Sequence, residues 1–240
     1  MAAPYTTFTD TRPRLGLIAL QADRTMEDDF RRLMPRDVSL LVSRVPSGTE
    51  VTADSLAQME GALTGAAALF PRGHKFDVVG YGCTSGTAQI GARVIGERVR
   101  AGCDTAQVSE PVSALIAACA VLDLQRIAIV SPYVAAVSDR LRHVLRAAGI
   151  DTPRFTSFDE ASEAAVTQID GASVMAAARA VMDGADVQGL FLSCTNLNTL
   201  DVIAPLQAEL GLPVLSSNLV LAWHMMTLAG VDARTPRDLL

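Results

Sequence analysis

The chain has 240 residues, half of them apolar and 19% charged, which suits one large or two small packed cores and excludes a disordered chain. Its net charge is −6 and no basic stripe is present, which argues against a nucleic-acid partner. The start Met-Ala-Ala-Pro-Tyr-Thr-Thr lacks the regions of a secretory leader, and the longest uncharged stretch, Gly211 to Gly230, carries Pro213, Ser216, Ser217, Asn218 and His224; a cytoplasmic protein with reduced thiols and no membrane span is expected.

Short runs rich in Val, Ile and Leu predict strands at 14–20, 38–45, 76–83, 106–108, 126–131, 154–158, 187–194 and 213–215. Helical patterns fill the intervals. Thr25-Met-Glu-Asp28 reads as a capping box ahead of Phe30 and Leu33, and the segment 134–148 has apolar residues at helical spacing before Gly149. Strict alternation of this kind predicts an α/β protein with parallel sheets. The alternation also repeats. Arg14-Leu-Gly-Leu-Ile-Ala matches Arg126-Ile-Ala-Ile-Val-Ser at an offset of 112 (126 − 14), and Gln107-Val-Ser-Glu-Pro-Val112 matches Val214-Leu-Ser-Ser-Asn-Leu219 at 107 (214 − 107). A duplicated half-chain follows: two pseudo-symmetric lobes, each a short parallel sheet flanked by helices. The active site is expected in the cleft between them, beyond the carboxyl ends of the strands.

Two cysteines occupy equivalent places in this duplication. Phe76-Asp-Val-Val-Gly-Tyr-Gly-Cys83 and Val187-Gln-Gly-Leu-Phe-Leu-Ser-Cys194 end 111 residues apart (194 − 83), and Thr84-Ser85 and Thr195-Asn196 follow them. Each turn would present a thiol, a hydroxyl and free N–H groups at the start of a helix. Helix N-termini attract anions and lower thiol pKa values, so at least one thiol is expected to be depressed and fast-reacting. Hydroxyls of Thr84, Ser85, Thr195 and Tyr133, the last in the turn Val130-Ser-Pro-Tyr133, would stabilise oxyanions of a carboxylate substrate. Cys103 and Cys119 lack such surroundings and read as helical cysteines. His74 and His143 read as solvated, His224 as a core or surface residue, and Arg44 as part of a surface ion pair. The sequence has no GxGxxG, no Walker A loop and no paired Cys/His spacing, so neither cofactor nor metal is expected.

These residues resemble the aspartate/glutamate racemase superfamily, whose mark is the Cys-Thr pair seen at Cys83-Thr84 and Cys194-Thr195. Within it, the chain is similar to the branch of maleate cis–trans isomerase and arylmalonate decarboxylase. That likeness rests on the spacing from the first strand to Thr25-Met26-Glu27, the Ser-Pro-Tyr133 turn, and Ser216-Ser-Asn-Leu-Val-Leu-Ala-Trp223-His224. The resemblance implies lobes of residues 1–112 plus 218–240 and 113–217, with helices exchanged between them. It also implies Cys83 and Cys194 as catalytic thiols around a small carboxylate or amino-acid substrate; homo-oligomerisation is compatible with it.

Departures from the branch carry information. Arylmalonate decarboxylase has glycine at the first cysteine position, so Cys83 favours isomerisation or racemisation. Maleate isomerase has an asparagine where Asp23 aligns. Its second asparagine is due after the sixth strand, where this chain offers Asp159, Glu160 and Glu163 instead. An acidic residue beside a dicarboxylate repels it, whereas one beside an ammonium pairs with it. Asp23 and Asn196 are candidate substrate-binding residues; Asp23 could equally cap the helix that starts near Thr25, and Asn196 could be a turn residue. The expected function is a cofactor-independent isomerase or racemase of a small carboxylic acid. The alternatives are a cofactor-free decarboxylase of a malonate-like acid, using Cys194 alone, and a non-catalytic two-lobe ligand sensor.

Overall fold

A parallel strand covered on both faces needs a continuous apolar run, and the chain supplies such runs in two sets of four. The structure, a computed structural model, describes residues 2–231 and 234–239. The first half contains β1 (Arg14–Leu20), α1 (Met26–Leu33), β2 (Ser39–Val45), α2 (Ala53–Ala67), β3 (Lys75–Gly82), α3 (Thr84–Ile90), α4 (Ala92–Gly102), β4 (Asp104–Ser109) and α5 (Pro111–Val121). The second contains β5 (Arg126–Ser131), α6 (Ala135–Ala147), β6 (Asp151–Ser157), α7 (Glu163–Val166), α8 (Gly171–Met182), β7 (Gly189–Leu192), α9 (Leu200–Leu210), β8 (Val214–Ser216) and α10 (Ser217–Leu228). Two four-stranded parallel sheets result, in the orders β2-β1-β3-β4 and β6-β5-β7-β8. The second order is the first one repeated four strands later, as a duplicated half-chain requires. Leu15, Leu17 and Ile18 of β1 and Ile127, Ile129 and Val130 of β5 are buried, so both sheets carry core on either face.

All eight expected strands form, three of them with bounds that differ by two or more residues: β7 spans only Gly189–Leu192 of the expected 187–194. β4 is longer than 106–108. β6 starts at Asp151 rather than 154, and Pro153 sits inside it. Proline lacks an N–H, but β6 is an edge strand and its pairing with β5 skips register between Arg126 and Ala128. The capping box expected at Thr25 does not form. Asp23 Oδ1 instead accepts the N–H groups of Thr25 at 2.9 Å and Met26 at 2.8 Å, while the Thr25 hydroxyl donates to the carbonyl of Asn196 at 3.1 Å. The start of α1 is thereby tied to the turn after β7.

Close approaches hold the layers. α10 lies on β3, β4, α1 and α5, so the C-terminal helix returns to the first sheet. A Cβ built at Gly80 would stand 2.4 Å from Met225 Sδ, so glycine there lets α10 settle on β3. At Gly102 the obstacle is backbone: a Cβ would be 2.3 Å from the carbonyl oxygen of Thr64 in α2. A backbone atom is not displaced by a rotamer change. Gly102→Ala is therefore expected to cost about 1–3 kcal/mol, read as a lower urea midpoint at unchanged slope.

One further contact joins the two halves. Glu50 and Ser162 form an antiparallel bridge, with Val51 N–H donating to Ala161 O at 3.0 Å and Glu163 N–H to Thr49 O at 3.1 Å. The loop after β2 is thus fastened to the loop after β6. Among the described residues no helix is long and apolar enough to cross a membrane.

Candidate active site

Each cysteine ends a central strand of its sheet, where the backbone leaves the core and its N–H groups lose their ladder partners. Cys83 follows β3 and caps α3; its Sγ accepts the N–H of Gly86 at 3.1 Å. A side chain at position 86 would stand 3.0 Å from that sulfur and 2.5 Å from the Tyr81 hydroxyl, so glycine is what lets the amide come close. Cys194 follows β7 with φ +131°, a region side-chain-bearing residues rarely adopt. Its Sγ accepts the N–H of Asn196 at 3.2 Å and lies 3.0 Å from Tyr133 Oη. The helix expected directly after Cys194 does not form there: a turn comes first, and α9 starts at Leu200.

Ser217, at the start of α10, joins the two turns. Its Oγ accepts the Cys194 N–H at 2.9 Å and the Thr84 hydroxyl at 2.7 Å. Thr195 crosses in the other direction, its hydroxyl donating to Gly82 O at 3.3 Å. Ser85 is buried in the first turn of α3, beside Thr84. Asn196 is a hub: Oδ1 accepts the Arg24 N–H at 2.9 Å, and Nδ2 donates to Glu163 Oε2 at 2.8 Å. Tyr133 Oη reaches Glu163 Oε1 at 3.1 Å. Asp23, Thr84, Ser85, Tyr133, Thr195 and Asn196 therefore gather with Cys83 and Cys194, all buried.

Three members of this cluster lay outside the expected set. Glu163 supplies the second carboxylate; its signal was the acidic segment after the sixth strand, in which Asp159 and Glu160 serve the loop instead. Glu160 accepts the N–H groups of Ala161 and Ser162. Ser217 and Asn218 lie in the Ser-Ser-Asn run before Trp223. Asn218 Nδ2 donates to Asp29 Oδ2 at 2.7 Å and to Thr195 O at 2.8 Å. Arg44 braces the Asp23 turn from outside, donating to Leu20 O and Asp23 O and pairing with Glu27. His224 stacks on Trp223 and meets Ser109 Oγ at 2.8 Å.

The expectation of a depressed thiol is overturned. Burial pushes the Cys83 thiol up to about 12, and the Glu163 and Asp23 charges push the same way against the Gly86 N–H and the Tyr81 hydroxyl. Cys194 is raised by burial and then by Glu163, against Tyr133 and the Asn196 N–H. A helix N-terminus offers two or three amides; burial plus two carboxylates outweighs them. Both shifts favour the protonated thiol. At pH 7.5 iodoacetamide is expected to label half-exposed Cys103 at least about tenfold faster than Cys83 or Cys194, read by peptide mass spectrometry; faster labelling of either site thiol contradicts the burial argument.

Burial likewise raises Asp23 to about 6, against the N–H groups of Met26 and Thr25, and raises Glu163 against Asn196 and Tyr133. Among the described residues no group of three or more His, Cys, Asp and Glu side chains is placed to hold a metal ion.

Two duplicated parallel-sheet lobes with a cysteine turn at the end of a central strand in each define the maleate isomerase and arylmalonate decarboxylase branch of the racemase-like α/β proteins. The model of the arylmalonate decarboxylase family matches residues 93–238, and the chain belongs to that family. It is similar to a maleate isomerase of Nocardia farcinica, 26% identical over 93% of this chain and 92% of the relative. An arylmalonate decarboxylase of Bordetella bronchiseptica is 27% identical, over 92% of each chain. The fold matches that of a cysteine-to-serine variant of Nocardia farcinica maleate cis–trans isomerase, with a TM-score of 0.78 at 24% identity over 91% of this chain and 93% of that one. That structure contains a covalently bound succinylcysteine intermediate.

Proposed function

We propose that the protein is a cofactor-independent isomerase or racemase of a small carboxylic acid, with Cys83 and Cys194 acting from opposite sides of a cleft between two lobes. The lobes are residues 1–112 with 218–240, and 113–217, a division supported by α10 packing on β3 and β4. The observation that carries the reading is the pairing of the thiols: both end equivalent strands, and Ser217 joins their turns through Thr84 and the Cys194 N–H.

The chemistry follows from that arrangement. Removing a proton beside a carboxylate builds an enediolate, which needs donors already in place; Thr84, Ser85, Thr195, Tyr133 and the turn amides supply them. Racemisation then takes the proton on one face and returns it on the other, one sulfur as base and one as acid. Cis–trans isomerisation uses the same parts: one thiolate adds to the alkene carbon, the other cysteine gives a proton to the neighbouring carbon, the C–C bond rotates, and a proton is taken back from that carbon as the thiolate leaves. The succinylcysteine of the Nocardia enzyme supports the second route.

A second reading, decarboxylation of a malonate-like acid by Cys194 alone, is favoured by the matched family and by the Bordetella relative. The two separate in one panel: maleate, D- and L-aspartate, D- and L-glutamate, and aryl-substituted malonates, followed by chiral chromatography with CO₂ detection. Interconversion of isomers or enantiomers without CO₂ is the expected result. CO₂ release from a malonate, with every other acid unchanged, would select the decarboxylase.

A further inference from the structure

Cys194 holds a backbone conformation, φ +131°, that a residue with a side chain adopts only when its surroundings impose it. The first two residues of α10 brace it. Ser217 Oγ accepts the Cys194 N–H at 2.9 Å, and Asn218 Nδ2 donates to the Thr195 carbonyl oxygen at 2.8 Å. Asn218 is fully buried, and its Nδ2 also donates to Asp29 Oδ2 on α1 at 2.7 Å. Its Oδ1 has no hydrogen-bond partner. Reversing the amide would set that oxygen against a carboxylate and a carbonyl, so the two donor bonds fix its orientation. The bond to Thr195 matters because a peptide unit has two ends. The unit that gives its carbonyl to Asn218 gives its N–H, that of Asn196, to Cys194 Sγ at 3.2 Å. A donor on the carbonyl holds the plane of that unit and draws electron density towards its oxygen, which makes the N–H a stronger donor.

We infer that Asn218, anchored by Asp29, is a positioning residue for Cys194: it holds the Thr195–Asn196 peptide with its N–H on the sulfur. The inference rests on the reading of Cys194 as a working thiol. Asn218 acts through the backbone and needs no contact with substrate. Burial and then Glu163 raise the Cys194 thiol, with Asp23 adding to them, while Tyr133 and the Asn196 N–H oppose. Loosening the peptide withdraws one of those opposing donors from a thiolate on Cys194. Cys83 is spared, because its own amide comes from Gly86 in the other turn.

Asn218→Ala tests this, with Cys83 as the internal reference. Both thiols are alkylated with iodoacetamide at pH 8.5 and followed by peptide mass spectrometry. The Cys194 rate is expected to fall at least about five-fold relative to Cys83, whose own rate stays within about two-fold, because a weaker donor leaves less thiolate. A merely structural role would loosen the buried turns and speed both thiols together. On an acid that the protein turns over, kcat is expected to fall at least about five-fold with KM within about two-fold. The inference is overturned if Cys194 labels as fast as before or faster relative to Cys83, or if both rates move together. Should Asn218→Ala fail to fold, Asn218→Leu made together with Asp29→Asn keeps the volume, leaves no unpaired buried charge and decides by the same ratio. Labelling needs no substrate. A fallen ratio in a protein that turns over none of the acids leaves the positioning role standing and removes the enzyme. Turnover by the unmodified protein, with an unchanged ratio in the variant, does the opposite.

Discussion

Replacing either Cys83 or Cys194 by alanine is expected to lower turnover about 10²–10⁴-fold while leaving the fold intact. The reasoning is geometric. Each sulfur accepts one turn amide, from Gly86 and Asn196, and each thiol is small enough for alanine to leave only a slight void. Circular dichroism should therefore be unchanged, and the loss should fall on kcat. Two-thiol chemistry needs both losses. If Cys194→Ala is inactive but Cys83→Ala retains full activity, Cys194 works alone and the decarboxylase reading prevails. Tyr133→Phe provides a smaller companion effect: it keeps the ring and removes the hydroxyl between Cys194 and Glu163.

The second large effect is on stability. Asp23 and Asp29 are both raised to about 6, chiefly by burial, and Glu163 is raised as well. In each, the folded protein keeps a proton that the unfolded chain has already released. Their contribution is fully present below the unfolded pKa near 4 and is lost as pH rises through about 6. The melting temperature is therefore expected to be higher at pH 5 than at pH 7.5. Asp29→Asn keeps an acceptor for Asn218 and removes the charge; at pH 7.5 it should stabilise by on the order of 2 kcal/mol, with a smaller gain at pH 5. A melting temperature that climbs steadily from pH 5 to pH 7.5, or a destabilised Asp29→Asn at pH 7.5, would show that these carboxylates are solvated in the folded protein.

What the sequence disclosed follows from how local each signal is. Strands such as β1, β3, β5 and β7 are legible because burial on both faces demands unbroken apolar runs, and the repeat is legible because duplication preserves their order. Cys83 and Cys194 stood out because each ends such a run and is followed by Thr. Glu163 did not stand out. It lies in a four-residue helix, and its place depends on a backbone bond to Thr49 in the other half of the molecule. Ser217 was hidden for a like reason, since its partners Thr84 and Cys194 meet it only in the folded protein. The raised thiol pKa is not legible in the sequence, because a helix N-terminus is visible there, whereas burial and two carboxylates contributed from elsewhere in the chain are tertiary facts. Asp23 holds the start of α1 with one oxygen, as the capping reading expects, and lies beside Thr195.

The most direct test of the paired-thiol account is solvent deuterium exchange. The protein is incubated in D₂O at pH 7.5 with each candidate acid, and the recovered acid is weighed by mass spectrometry. The account predicts that the substrate returns, as its isomer or enantiomer, with deuterium on carbon and every carboxylate retained, and that neither Cys83→Ala nor Cys194→Ala does this. Label found only in a product that has lost CO₂, or no label in any acid that binds, would contradict it.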